Sequence, residues 1–188
     1  MDSVEAEAST LYHVVAMPYP GRGHINPMMN LCKILASKTN ETINIDIIVT
    51  FVVTEEWLGF IGVEPKPDNI HFATVPNVVP SELVRAADHS SFFEATMTKL
   101  GAPFERLLDR LEPRATVILF DTFLFWAVGV GKRRNIPLAS FWPLAASVFT
   151  VFHHFSLLPQ NGHFPLHVSG GVFIKRIIYL LLAGYAIE

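Results

Sequence analysis

The sequence predicts an α/β fold, a parallel sheet flanked by helices, and three observations predict it. Short β-rich apolar runs alternate with helical stretches along most of the chain. Those runs are rich in β-branched residues and almost uninterrupted, as strands covered on both faces should be. Each connection is long enough to hold a crossover helix, where a hairpin would need only a few residues. Alternation of this kind implies βαβ units and a doubly wound sheet, whose ligands sit at the carboxyl ends of the strands.

Taken in order, residues 11–17 (LYHVVAM) read as the first strand, stopped by Pro18, Pro20 and Gly21. Asn26-Pro27 offers an N-cap and then a proline at the first helical position, so a helix is expected over residues 28–37. Residues 43–53 are the second strand, and Thr54-Glu55-Glu56 opens a short helix ending near Gly62. A turn over 65–69 leads into the third strand, 70–75, and then a loop over 78–81. The longest amphipathic helix covers 91–111, with Gly101-Ala102-Pro103 marking a break. A fourth strand (117–120), a helix (123–134), a fifth strand (138–141) and a helix (144–157) complete the pattern.

Composition limits the function classes. Of 188 residues, 51% are hydrophobic and 16% charged, against about 25% charged in an ordinary soluble domain. So much apolar surface excludes disorder. A net charge of -3 gives no electrostatic case for nucleic acid or an anionic membrane. The single cysteine, Cys32, excludes an intramolecular disulfide framework and any multi-cysteine metal site. The start of the chain is acidic and lacks the apolar stretch of a secretory signal. The apolar segment 177–187 has 11 residues, where a bilayer span needs roughly 20. No membrane span and a cytoplasmic location are therefore expected. Of the 31 charged residues, 24 lie within residues 1–114, and none lies between Asn135 and Ile174. That uncharged run must be buried, or wait for something to cover it.

The candidate chemistry sits in two strand-to-helix turns. Residues 18–27 (PYPGRGHINP) are glycine-rich and lead into a helix N-terminus, where backbone N–H groups favour anions. Gly21-x-Gly23 lacks the third glycine of a dinucleotide fingerprint, and no Gly-Lys-Ser/Thr is present. The turn does carry His24. Asp121 follows the fourth strand directly and would lie at the same edge, as an N-cap for the next helix or as the orienting partner of His24. A carboxylate on one imidazole nitrogen fixes the tautomer and makes the other a better general base. Lys132-Arg133-Arg134 reads as compensation of a helix dipole, and Cys32 as an inert packed thiol. His153-His154 point about 100° apart on a helix and make poor joint ligands, so no metal site is expected. Phe123 and its aromatic neighbours could line an apolar pocket beside Asp121.

Residues 13–27 (HVVAMPYPGRGHINP) with Met28-Met29-Asn30-Leu31, together with Phe120-Asp121-Thr122-Phe123, Trp126, Asn135-Ile136-Pro137 and Ser140-Phe141-Trp142, resemble plant family 1 UDP-glycosyltransferases. The resemblance covers roughly residues 11–167. It implies the N-terminal, acceptor-binding Rossmann-like domain of a two-domain GT-B enzyme, here residues 11–168. It also implies that His24 is the general base, paired with Asp121, in an inverting hexosyl transfer from a UDP-sugar co-substrate without metal or cofactor. Gly21, Arg22 and Gly23 would approach the donor. Phe123 would border a small hydrophobic acceptor bearing a hydroxyl, and Trp142 would complete the substrate contacts.

Departures from the family pattern are equally definite. The segment that holds the UDP-sugar in these enzymes has no counterpart here, and Pro143 stands where many members have Thr. Residues 169–188 form an apolar tail unlike the family. The expectation is a truncated glycosyltransferase with weak or absent UDP-sugar binding, inactive alone. The alternative is a non-catalytic binding fragment or a defective gene product.

Overall fold

A computed structural model describes residues 10–38, 45–155 and 157–161. In chain order the elements are β1 (Thr10–Met17), α1 (Arg22–Ala36), β2 (Ile45–Thr54), α2 (Glu55–Ile61) and β3 (Ile70–Val75). A 3-10 turn (Glu82–Val84) precedes α3 (His89–Lys99) and α4 (Gly101–Leu108). Then come β4 (Val117–Asp121), α5 (Trp126–Arg134), β5 (Leu138–Phe141), α6 (Ala146–His153) and α7 (Leu157–Gln160). The chain divides into two compact units, Met1–Pro143 and Leu144–Glu188. The second holds α6 and α7, and α6 buries none of its side chains. The first holds the whole sheet.

All four strand pairings are parallel, in the order β3-β2-β1-β4-β5. The chain steps outward from β1 to one edge and then crosses to the other side of β1. Strand order therefore reverses between β1 and β4, and a crevice opens at their carboxyl ends. Met17 pairs with Phe120, so the turns leaving the two strands start side by side.

Period-two alternation divides the core. Val15 and Met17 of β1, with Ile118 and Phe120 of β4, pack against Phe92, Leu100, Phe104 and Ala127 on α3, α4 and α5. Val14, Ala16 and Leu119 face the opposite way, onto Met28, Cys32, Trp57 and Ile61 of α1 and α2. Each large apolar side chain hidden this way contributes about 1.5–3 kcal/mol. Gly131 allows α5 to close on β5, because a Cβ there would overlap the Leu138 side chain.

Several element boundaries differ from the sequence expectation. Helix α1 begins at Arg22 rather than at residue 28, and Asn26 does not cap it. The Gly21 carbonyl accepts from both His24 N and Ile25 N at 2.9 Å. This makes the glycine turn the first turn of the helix and leaves Pro27 inside it. A proline there removes one hydrogen bond, to the Gly23 carbonyl, near an end where bonding is already incomplete. Helix α5 begins at Trp126 rather than 123, because residues 121–125 form a turn. The long helix divides at Leu100, and its first half starts at His89, capped by Asp88 Oδ1 accepting from Ser91 N at 3.1 Å. The helix expected over 144–157 is α6 followed by a separate α7.

The basic run on α5 does more than offset a dipole. Arg133 forks onto Glu105, and Arg134 bridges Glu105 and Asp109, tying α5 to α4. The first residues of the expected second strand, 43–44, and the tail 169–188 lie outside the described residues. Among the described residues, no helix is long and apolar enough to cross a membrane.

Candidate active site

The strand-order reversal brings together the two turns that the sequence singled out. His24 occupies the first turn of α1, directly beyond β1. Asp121 is the last residue of β4. It has the parity of Leu119, whose side chain faces the α1 layer, so the carboxylate reaches the helix carrying His24. His24 Nδ1 donates to Asp121 Oδ2 at 2.8 Å across 97 positions of sequence.

The carboxylate is held on its other side as well. Asp121 Oδ1 accepts from Phe123 N at 3.0 Å, and the Asp121 carbonyl accepts from Leu124 N at 2.8 Å. These bonds form the turn between β4 and α5, so Asp121 shapes its own loop instead of capping the helix beyond. Its side chain has 0% exposure, against 22% for His24. A buried carboxylate must be hydrogen-bonded to persist, and its two fixed partners leave it one orientation. A carboxylate only accepts, so Nδ1 carries the proton and the lone pair of neutral His24 lies on Nε2. Among the described residues Nε2 has no hydrogen-bond partner.

Aromatic rings surround this imidazole. Tyr19 lies 5.0 Å from it between centroids and Phe123 meets it edge-on at 5.5 Å. Trp142 stacks on Phe123 at 5.7 Å. Burial pushes the Tyr19 phenol from its ordinary 10.0 up to about 12. Arg85 reaches over the turn from the 3-10 segment: it donates to the Pro20 carbonyl at 3.3 Å and pairs with Glu82 at 3.0 Å. Burial raises the Glu82 carboxyl above its ordinary range, with Arg85 pulling it back down. A Cβ on residue 21 would stand 2.9 Å from the Arg85 guanidinium, so glycine lets that side chain lie on the turn.

Of the other expected contacts, Arg22 turns away, over the Trp57 ring at 5.8 Å and toward Glu64 at 3.9 Å. A Cβ on Gly23 would meet nothing within 4 Å, so the face there is open. A cavity of about 190 Å³ runs along α1 past Asn26, Met29, Lys33 and Glu64, and neither His24 nor Asp121 lines it. Cys32 is buried, which pushes its thiol up to about 12 and keeps it unreactive. Among the described residues no group of three His, Cys, Asp or Glu is placed to hold a metal ion. Tyr19 and Arg85 were missed by sequence reasoning. For Tyr19 the signal was available, since it lies between the two prolines of the turn that delivers His24.

The chain is 56% identical over 164 residues to UDP-glycosyltransferases 87A1 and 87A2 of Arabidopsis thaliana. Those matches cover 87% of this chain but only 36% and 35% of the relatives, so the chain spans about a third of their length. No family model matches. Among solved structures, Os79 from O. sativa in complex with U2F and trichothecene superposes with a TM-score of 0.63 at 21% identity, over 83% of this chain and 34% of that one. Phytolacca americana UGT2, complexed with UDP-2fluoro-glucose and pterostilbene, gives a TM-score of 0.64 at 16% identity over 92% and 45%. The shared fold is the N-terminal domain of a GT-B enzyme, and the chain belongs to the plant UDP-glycosyltransferases as an N-terminal portion of that family.

Proposed function

We propose that this chain supplies the acceptor side and the general base of an inverting transfer of a hexose from a UDP-sugar to a hydroxyl of a small hydrophobic acceptor. The observation that carries this reading is the bond from His24 Nδ1 to the buried Asp121 carboxylate, which leaves Nε2 open at the sheet's switch point. An acceptor hydroxyl resting on Nε2 would give up its proton as its oxygen attacks the anomeric carbon. UDP would leave from the opposite face of the sugar. Asp121 holds the tautomer and balances the positive charge that develops on the ring.

Phe123 and Trp142 provide an apolar wall for the acceptor, and Gly21 and Gly23 flank the side from which the donor approaches, with Arg22 contributing its backbone while its side chain points over Trp57. UDP-sugar is the co-substrate, with no added cofactor. Its principal contacts belong to the part of the family's length that this chain does not span, so the chain alone should bind UDP-glucose very weakly and transfer little or nothing. Work in the cytoplasm, on a freely diffusing acceptor, fits this chemistry.

The test uses a protein spanning the full length of the relatives. His24→Ala should abolish transfer while UDP-glucose affinity is retained. Undiminished transfer in that variant would remove His24 as the base.

A further inference from the structure

We propose that Tyr19 is a positioning residue that holds the His24 imidazole in the plane where Nδ1 meets Asp121 and Nε2 faces the crevice. The inference rests on the reading of His24 as a general base.

Asp121 alone constrains only one atom of the ring. A single hydrogen bond at Nδ1 leaves the imidazole able to rock about that bond and to swing toward solvent, on its 22% exposed side. Two aromatic contacts remove that freedom. Tyr19 packs at 5.0 Å with a 40° tilt, and Phe123 abuts at 5.5 Å and 79°. Phe123 belongs to the same turn as Asp121, whose carboxylate holds its backbone N–H. Tyr19 is the contact with independent support.

That support comes from α3. Tyr19 is 8% exposed, and its ring meets Phe92 of that helix at 6.1 Å. Phe92 is itself fixed: it is 1% exposed, and its carbonyl accepts from the Thr96 hydroxyl at 2.8 Å. Arg85 lies over the Phe92 ring at 5.3 Å and against the glycine turn. Tyr19 is therefore backed by the buried face of α3 and presents its ring to the histidine. An aromatic ring suits the role, since it is rigid and packs over a broad face. Burial keeps the Tyr19 hydroxyl protonated well past neutrality, so Tyr19 brings no charge beside the base.

Imidazole 15N spectra of this chain test the assignment. The His24 resonances are those lost in His24→Gln. In the unchanged chain His24 should show one pyrrole-type nitrogen, Nδ1, and one pyridine-type nitrogen, Nε2. His13, whose Nδ1 also faces an oxygen acceptor, should show the same pair and serves as the internal control. Tyr19→Leu should collapse the His24 pair to a single averaged position and leave the His13 pair in place, a pattern that general loosening of the fold would not give. Phe92→Leu removes the ring that backs Tyr19, and Tyr19→Phe keeps the ring that packs on His24. Phe92→Leu should broaden the His24 pair without merging it, and Tyr19→Phe should leave it sharp.

A His24 pair as sharp in Tyr19→Leu as in the unchanged chain overturns the proposal. If Tyr19→Leu fails to fold, the His13 pair is lost as well and the milder variants decide: unchanged His24 signals in Phe92→Leu, or a merged pair in Tyr19→Phe, again overturn it. A single averaged His24 signal in the unchanged chain would overturn the His24–Asp121 pairing itself, and the Tyr19 assignment with it.

Discussion

His13 and His24 stand 11 positions apart and meet similar partners, yet only one is available for chemistry. His13 sits in β1 with 2% exposure. Its Nδ1 donates to the Pro113 carbonyl at 2.6 Å, and its Nε2 is 2.7 Å from Thr50 Oγ1. A carbonyl only accepts, so in the neutral ring the proton is on Nδ1 and Nε2 takes the Thr50 hydroxyl hydrogen. His24 has the same tautomer for the same reason, with a carboxylate in place of the carbonyl. The difference lies at Nε2, occupied in the strand and open in the turn. A histidine becomes a base by what its second nitrogen lacks, and the sheet decides that by placing one ring within a strand and the other beyond its end.

The first way to break this comparison is to remove each ring in turn. In a protein spanning the relatives' full length, His24→Gln should lower the transfer rate by about 10²–10⁴-fold, the usual contribution of a general base. Asp121→Asn should have an effect of similar order by favouring the wrong tautomer. Urea denaturation of the chain carrying His24→Gln should move by less than about 1 kcal/mol, since the glutamine amide can still donate to Asp121 Oδ2 and the site is partly open to water. His13→Ala should behave in the opposite way. Leaving Thr50 and Pro113 unsatisfied beside a cavity should destabilise the fold by about 3 kcal/mol, while the 15N pattern of His24 stays unchanged. Equal destabilisation by the two substitutions would erase the distinction.

Alkali should sharpen the picture by acting on two buried groups, one on each side of the sheet. Tyr19 rises from 10.0 to about 12 and Cys32 from 9.0 to about 12, both through burial. Above pH 9 the unfolded chain loses these protons while the folded chain keeps them. Stability should therefore fall progressively between about pH 9 and pH 12. Tyr19→Phe and Cys32→Ala should each flatten part of that slope in thermal melts, and a slope unaffected by either would place its origin elsewhere. The smallest effect belongs to the exposed clamp between α4 and α5. Its hydrogen bonds to Arg133 and Arg134 hold the Glu105 and Asp109 carboxyls below their ordinary range, so any stability they add is lost as pH falls through that depressed range. Glu105→Gln should cost less than any change above, and the cost should shrink further in high salt.

The sheet and the His24–Asp121 pair were legible in the sequence because they follow from long-range rules. Alternating apolar runs dictate parallel strands, and the carboxyl-end rule selects residues 18–27 and 121–123 out of 188. What escaped was local competition. Asn26-Pro27 carries the common signature of a helix start, but the Gly21 carbonyl captures two amides and starts the helix four residues upstream of Asn26. Asp121 reads equally well as a cap or as a partner, and only the register between β1 and β4 distinguishes them. The burial of His13 had no local mark, because its hydrogen-bond partners come from residues 37 and 100 positions away. Tyr19 looked like a turn residue because the ring behind it, Phe92, lies on a helix whose packing the local sequence does not announce.

The central place of β1 has a consequence in time. The strand made first waits longest for its second neighbour, since β4 follows about a hundred residues later. At roughly 5–20 residues per second of synthesis, His24 leaves the ribosome on the order of 5–20 s before Asp121 exists. During that interval one flank of β1 is an unpaired edge, open to any other strand. The pair that defines the site therefore also records correct assembly: it closes only when β4, and no substitute, has taken its place.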